Sequence, residues 1–384
     1  MSKKQIHWFE AKQLDRVTNF STEIEVVKAA IEQNVQMNYY CTFKKEKVYF
    51  GLENNICYLG RFKNRYIKAV EFQLSVVWKS IRLVLSGSDN VIIVNQDLVK
   101  HVLPARRINR LLGKNNKFVI DIRTTPTDPE NFEEDMKTFH RSFRKAVRYF
   151  DGLSFITPFM EKYIMKEYRK NLPTVHWSSG VDTELFNPEL YSEGKPNEHF
   201  TIFYHGGISE SRGNLDLIKA CELLVKRGYK IQLVQIGICV DTSIPKYVEQ
   251  TGIEEWCKLL PPVPLKEIPR LVSNADLPVM PFPNFMAWRV SSPIKLMEYL
   301  AMGKKVLAPN IEAFTDVFHE NPQLVFYFEA GKADQAEAIA GQIAAIIDND
   351  LLKDINRKEC VDFVTQRYTW KIQANKLIDF CLKL

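Results

Sequence analysis

Residues 291–309 read SSPIKLMEYLAMGKKVLAP, and this stretch decides the fold. The apolar spacing predicts a helix over 293–302 that stops at Gly303, then a buried strand over 305–308 closed by Pro309. Proline at a helix start and glycine just past its end are the expected punctuation. Lys295 and Glu298 lie three residues apart on that helix and share a face. Ser291, Ser292 and Pro293 form its N-terminus, where unpaired backbone N–H groups favour an anion. An anion site, a cation and a carboxylate within one turn suit a phosphate and a sugar hydroxyl together, which is the chemistry of a sugar nucleotide.

The same alternation of short apolar strand and helix runs outward through the chain. Strands are predicted at 5–9, 91–95, 118–122, 152–156, 175–177, 201–205, 231–236 and 277–280. Helical periods lie at 22–34, 70–85, 131–149, 215–227 and 332–348. Most strands lack polar alternation, so the pattern is α/β with parallel sheets buried on both faces. A chain of 384 residues exceeds one ordinary domain. The polar stretch 187–199 (NPELYSEGKPNEH) marks the boundary, giving domains 1–186 and 187–369. The last segment, 370–384, offers Ile372, Leu377, Ile378 and Leu382 for one face and is expected to pack back on the first domain.

A second constellation lies at 201–213, TIFYHGGISESRG, just before a helix. Gly206 and Gly207 allow backbone to approach a ligand. Arg212 can form paired hydrogen bonds to a phosphate beside the helix N-terminus. The spacing matches neither GxGxxG nor a Walker loop, which disfavours NAD and P-loop readings; a plain strand-to-helix turn is the bland alternative. In the 259–264 loop (LLPPVP), Val263 and Pro264 either frame a nucleotide base or form a surface turn. Arg289, in the loop 284–290, either reaches a diphosphate or is solvated. In the N-terminal half, Asp15, Arg16 and Asn19 in the polar segment 10–19 follow the first strand and are candidates for meeting an acceptor. Asp121 and Arg123, in FVIDIRTTP at 118–126, flank a strand end. Asp121 is suited to orient an acceptor hydroxyl or act as a base, or else the two residues form a structural pair.

Composition narrows the partners. Hydrophobic residues make up 46% of the chain, enough for well-formed cores, with no apolar run long enough to span a bilayer. The start lacks a signal-peptide pattern, and the seven scattered cysteines have no zinc spacing. Free thiols in a reducing cytoplasm are expected. Residues 1–185 hold 30 Lys+Arg against 21 Asp+Glu, and the remainder 22 against 25. A basic N-terminal half calls for an acidic partner or surface, or simply aids solubility. Residues 61–78 mix cations and aromatics, and two further basic runs follow: Arg106, Arg107, Arg110, Lys114 and Lys117, then Arg141, Arg144, Lys145 and Arg148. They suit an anionic leaflet, contacted peripherally. Nucleic acid is a poorer partner, since no recognised module appears.

These motifs resemble the retaining glycosyltransferases of family 4, of the bacterial surface-polysaccharide type. Three pieces carry the resemblance in order: Gly180-Val181-Asp182 with Phe186 and Pro188, the phosphate loop 206–213, and the donor helix 293–303. It is firm over 160–384 and only a matter of pattern before that. The resemblance implies a GT-B fold, with two Rossmann-like domains whose parallel sheets face across a cleft. It also implies a UDP- or GDP-sugar donor, no tightly bound cofactor and no metal. Glu298 matches the ribose-binding glutamate, and Arg212 stands where the family usually has lysine. Arg212, Lys295, Ser292 and Arg289 would hold the diphosphate, with Gly206, Gly207 and Val263 around them. A glycan or polyprenyl-pyrophosphate-linked acceptor is expected on the Asp121 side. Two positions depart from the pattern: Val290 replaces the first of the family's paired glutamates, and Gly207 stands where arginine is frequent. An inverting glucuronosyltransferase-like enzyme, a nucleotide-sugar epimerase and a non-catalytic sugar-nucleotide or membrane-binding protein are the rival readings.

Overall fold

The chain divides into two units, residues 1–178 with 370–384, and residues 179–369. The computed structural model describes residues 4–14, 21–43, 46–60, 65–87, 89–191, 198–331, 334–353 and 356–384. Asp15, Arg16 and Asn19 therefore lie outside the described residues.

The first unit holds a parallel sheet of β1 (Gln5–Leu14), β2 (Met37–Phe43), β3 (Ile56–Tyr58), β4 (Asn90–Val94), β5 (Lys117–Ile122), β6 (Gly152–Phe155) and β7 (Thr174–His176), in the order 3-2-1-4-5-6-7. Its crossovers carry α1 (Ser21–Glu32), α2 (Arg65–Ser86), α3 (Val99–Leu111), α4 (Phe132–Tyr149) and α5 (Pro158–Met165). Strand order reverses between β1 and β4, and ligands of such sheets collect at the carboxyl ends of strands beside a reversal. β4, with the sequence NVIIV, is buried at every position, as a central strand covered on both faces must be.

The second unit has β8 (Phe200–His205), β9 (Ile231–Ile236), β10 (Cys257–Leu260) and β11 (Leu277–Pro278) in the order 10-9-8-11, beside a pair made of β12 (Val306–Pro309) and β13 (Val325–Phe328). The Met280 N–H donates to Leu307 O at 2.8 Å and Val279 bridges to Leu307, so β11 leads on to β12. The helices are α6 (Asn214–Lys226), α7 (Ser243–Thr251), α8 (Ile268–Ser273), α9 (Met286–Arg289), α10 (Ile294–Ala301), α11 (Glu312–Thr315), α12 (Gln335–Asp348) and α13 (Arg357–Arg367). The helix expected from residue 332 begins at Gln335, where the Asp334 side chain accepts the Glu337 N–H and caps it.

The final helix, α14 (Trp370–Lys383), belongs to the first unit. Its Ala374, Leu377, Ile378 and Cys381 are buried with Trp8, Ile24, Val27 and Trp177. Lys371 pairs with Glu32 at 2.9 Å, and Lys4 Nζ donates to Leu382 O at 2.9 Å.

Three local expectations are corrected. The division falls at 178/179 rather than 186/187, because Val181 and Phe186 are buried in the second unit's core and the Val181 N–H donates to Tyr368 O at 2.9 Å. The first strand does not end at residue 9: β1 runs to Leu14, with an irregularity between Phe9 and Gln13. Its polar residues Glu10 and Lys12 stay in the strand because Tyr39 and Glu23 answer them. The segment 284–290, read as loop, contains the helical turn α9. Among the described residues no helix is long and apolar enough to cross a membrane.

Candidate active site

β8 delivers the loop 206–213 and α6. Gly206 has φ of +115°, and a Cβ built there would lie 2.5 Å from Lys295 Nζ, so glycine admits the lysine. Gly213, with φ of +77°, turns the loop into α6 where a Cβ would meet Pro281 O at 1.8 Å. Asn214 pins the loop: its Oδ1 accepts the Ser209 N–H at 3.0 Å, and its Nδ2 donates to Gln235 Oε1 at 2.7 Å.

The opposite wall is α10. Pro293 stands just outside it as the extended N-cap, and Gly303 follows it with φ of +70°. Lys295 Nζ donates to Tyr204 Oη at 3.0 Å and lies 4.3 Å from that ring's centre, while Tyr204 Oη donates to Gly207 O at 2.8 Å. Arg212 reaches the same phenol and sits over Trp288, 5.3 Å from the ring centre. Burial pushes the Tyr204 phenol up, but Lys295 and Arg212 beside it prevail and bring it below its ordinary value. Burial, with Arg212 nearby, lowers Lys295 despite the favourable Tyr204. Two cations held this close, one of them desolvated, form a site short of negative charge. One turn further along α10, Glu298 is buried, with its Oε2 2.8 Å from His205 Nε2.

The structure therefore brings Gly206, Gly207, Arg212, Lys295 and Glu298 together. The other expected donor residues are placed differently. Arg289 is paired through two nitrogens with Glu312, whose carboxyl this arginine holds below its usual range. Ser292 is buried against Ser179, accepting that residue's N–H on Oγ at 3.2 Å and its hydroxyl on the backbone oxygen at 2.6 Å. Val263 is half-buried against the second unit's core.

In the first unit Asp121 is buried at the end of β5, where its Oδ1 accepts from Ser154 Oγ and, at 3.0 Å, from Trp177 Nε1. Burial raises its pKa. Arg123 lies over Trp177, its Cζ 3.6 Å from the ring centre, and donates to Trp177 O at 2.6 Å. Two carboxylates that sequence reasoning missed join them. Glu23, on α1, pairs with Lys12 at 2.7 Å and leaves Oε2 without a hydrogen-bond partner. Glu10 accepts from Tyr39 Oη at 3.1 Å; burial, then Glu23, raises it to about 8. A polar residue persisting in a strand that pairs on both edges was the only available signal.

Residues 189–365 match the family Glycosyl transferases group 1. The phosphatidyl-myo-inositol mannosyltransferase of Mycobacterium tuberculosis is 23% identical over 255 residues, a match covering 63% of this chain and 65% of that protein. The chain thus spans just under two thirds of the length of that curated relative. Among solved structures, Anabaena HepE in complex with UDP and glucose superposes with a TM-score of 0.72 at 14% identity, over 99% of this chain and 100% of HepE. A glycosyltransferase from Rickettsia africae gives 0.73 at 15% identity, over 100% and 99%. These structural likenesses show the fold, which is GT-B. The family match falls within the second unit.

Proposed function

We propose that this protein is a glycosyltransferase that moves a sugar from a nucleoside diphosphate donor to a glycan or lipid-linked acceptor in the building of a cell-surface polysaccharide. One observation carries the reading: Lys295 and Arg212 converge on Tyr204 beside Gly206, while Glu298 stands one turn further along α10. The two cations and the N-terminus of α6 take the diphosphate, and Glu298 takes the ribose hydroxyls. As the bond from the anomeric carbon to the diphosphate oxygen breaks, negative charge grows on the leaving group. Fixed cations in a partly desolvated site stabilise that charge without reorganising. HepE, whose complex holds UDP and glucose, supports a uridine donor, with GDP-sugars kept in the test. Retention of configuration is supported by the family-4 resemblance and is decided by the anomeric proton coupling of the first-formed product.

The acceptor belongs to the first unit in this reading, where Asp121, Arg123, Glu10 and Glu23 crowd the strand ends. The relative named for phosphatidyl-myo-inositol supports an acceptor carried on a lipid. α2 supports work at the inner face of the plasma membrane. Beside its buried face it presents Tyr66, Ile67, Val70, Leu74 and Trp78 to solvent, with Trp78 69% exposed. Exposed Arg82 on α2 and Arg107 and Arg110 on α3 add positive charge, which suits anionic lipid. Of the other basic residues, Arg106 pairs with Asp151 and Lys114 donates to the end of α2.

Thermal shifts with a panel of UDP- and GDP-sugars test the donor assignment. A ligand at about 100 times its dissociation constant adds roughly 2.7 kcal/mol. The wild type is expected to shift with one nucleotide class, and Lys295→Ala and Glu298→Ala to lose most of that shift. If neither class moves the wild type, or both variants respond as it does, the donor site is misassigned. Release of free nucleoside diphosphate only when an acceptor is added separates a transferase from an epimerase or a non-catalytic binder.

A further inference from the structure

Behind Glu298 stands His205, the last residue of β8. Its Nε2 lies 2.8 Å from Glu298 Oε2 and its Nδ1 3.0 Å from Tyr299 Oη. Its backbone N–H donates to the same phenol oxygen at 3.1 Å. An ionised carboxylate only accepts, so beside Glu298 the ring carries its proton on Nε2, and Nε2–H donates to Glu298. In that neutral tautomer Nδ1 accepts from the Tyr299 hydroxyl, whose oxygen also accepts the His205 backbone N–H. A second proton on the ring would leave the bond to Glu298 in place. His205 and Glu298 are 8% and 7% exposed and Tyr299 is fully buried, so none of these bonds is readily replaced by water.

An apolar residue would fill the end of β8 as well as histidine does. What histidine adds is a donor aimed at the acidic group of α10. The carboxylate that the family pattern would place at 290 is absent, since Val290 is fully buried in its stead. Glu298 is bonded instead to His205, which Tyr299 holds in turn.

We infer that His205 is a positioning residue for the nucleotide: its Nε2–H holds one oxygen of Glu298, leaving the other oriented for the ribose hydroxyls of a nucleoside diphosphate. The inference rests on the donor reading of Glu298. His205 touches no ligand and acts only through the carboxylate, so its effect is confined to nucleotides that carry ribose hydroxyls.

Calorimetric titration with UDP, GDP and their 2′,3′-dideoxy forms tests this directly. The wild type is expected to prefer the ribonucleotide over its dideoxy form by about tenfold or more, the scale of a hydrogen bond to a charged group. His205→Leu should weaken the ribonucleotide by about tenfold and leave the dideoxy form unchanged. His205→Gln, whose amide N–H also donates, should retain most of the preference. In Glu298→Ala, adding His205→Leu should cost nothing further. Equal weakening of both nucleotides by His205→Leu would mean a structural prop and would overturn the inference. A ribose preference that survives His205→Leu would also overturn it and leave the donor site standing. If the wild type binds neither UDP nor GDP, the donor reading and the inference fall together.

Discussion

At Gly213 a side chain meets backbone, whereas at Gly207 it meets only the flank of a flexible arginine. A Cβ at Gly213 would sit 1.8 Å from Pro281 O in a left-handed conformation; one at Gly207 would lie 3.6 Å from Arg212 Cζ. Gly213→Ala is expected to destabilise the second unit by about 2 kcal/mol or more, and Gly207→Ala by less than about 1 kcal/mol, read from denaturant unfolding. The carboxyl of Glu10 yields a pH prediction. It is raised to about 8 by burial and Glu23, with Asp121 adding to the rise and Lys12 and the Tyr39 hydrogen bond opposing it. The folded state therefore keeps a proton that the unfolded chain releases above about pH 4.5. Its contribution is fully present below that pH and declines up to about pH 8. Glu10→Gln removes this slope, so the variant should gain on the wild type as pH rises through that window, by on the order of 3 kcal/mol at its top. Equal slopes for the two proteins in stability-versus-pH curves would show that Glu10 is ionised throughout.

Among the elements, α2 carries the clearest test. A solvated helix buries one stripe, yet α2 has two apolar faces: Phe72, Val76, Leu83 and Val84 go inward, while Tyr66, Val70, Leu74 and Trp78 stay outside. Replacing Leu74 and Trp78 by glutamate should leave stability within about 0.5 kcal/mol per site while abolishing co-sedimentation with anionic vesicles. Unchanged sedimentation would remove α2 from any membrane role. The sequence makes both faces legible as apolar but not which one is covered. Elements with local signals are read well: α10 has its proline, glycine and spacing within one short stretch. The late part of β1 is not, because Glu10 and Lys12 look solvated until Tyr39, 29 residues away, and Glu23, 11 away, supply partners. His205 is still less legible, since its side-chain partners lie 93 and 94 residues along the chain. Lys295, Arg212 and Glu298 could be read because their charge types fit a ligand, a pattern visible before any contact is known. Arg289 fitted that pattern equally well, and only the structure revealed Glu312 beside it.

For the whole molecule, the two units differ in how the chain closes them. The second is continuous from 179 to 369, whereas the first needs α14. Removing residues 370–384 uncovers the apolar faces of α1, Trp8 and Trp177 that α14 covers. Truncation at Thr369 should therefore abolish the cooperative unfolding transition of the first unit and preserve that of the second, together with its thermal response to nucleotide. Loss of both transitions would show that the second unit cannot stand alone. The same connectivity sets an order on the ribosome. The first unit's sheet is made before the second unit but is completed only after it, because α14 follows the second unit in the chain. Translating residues 179–369 at about 5–20 residues per second takes on the order of 10–40 s. Through that interval the nascent N-terminal sheet waits with one flank bare, and the contiguous second unit can mature ahead of it.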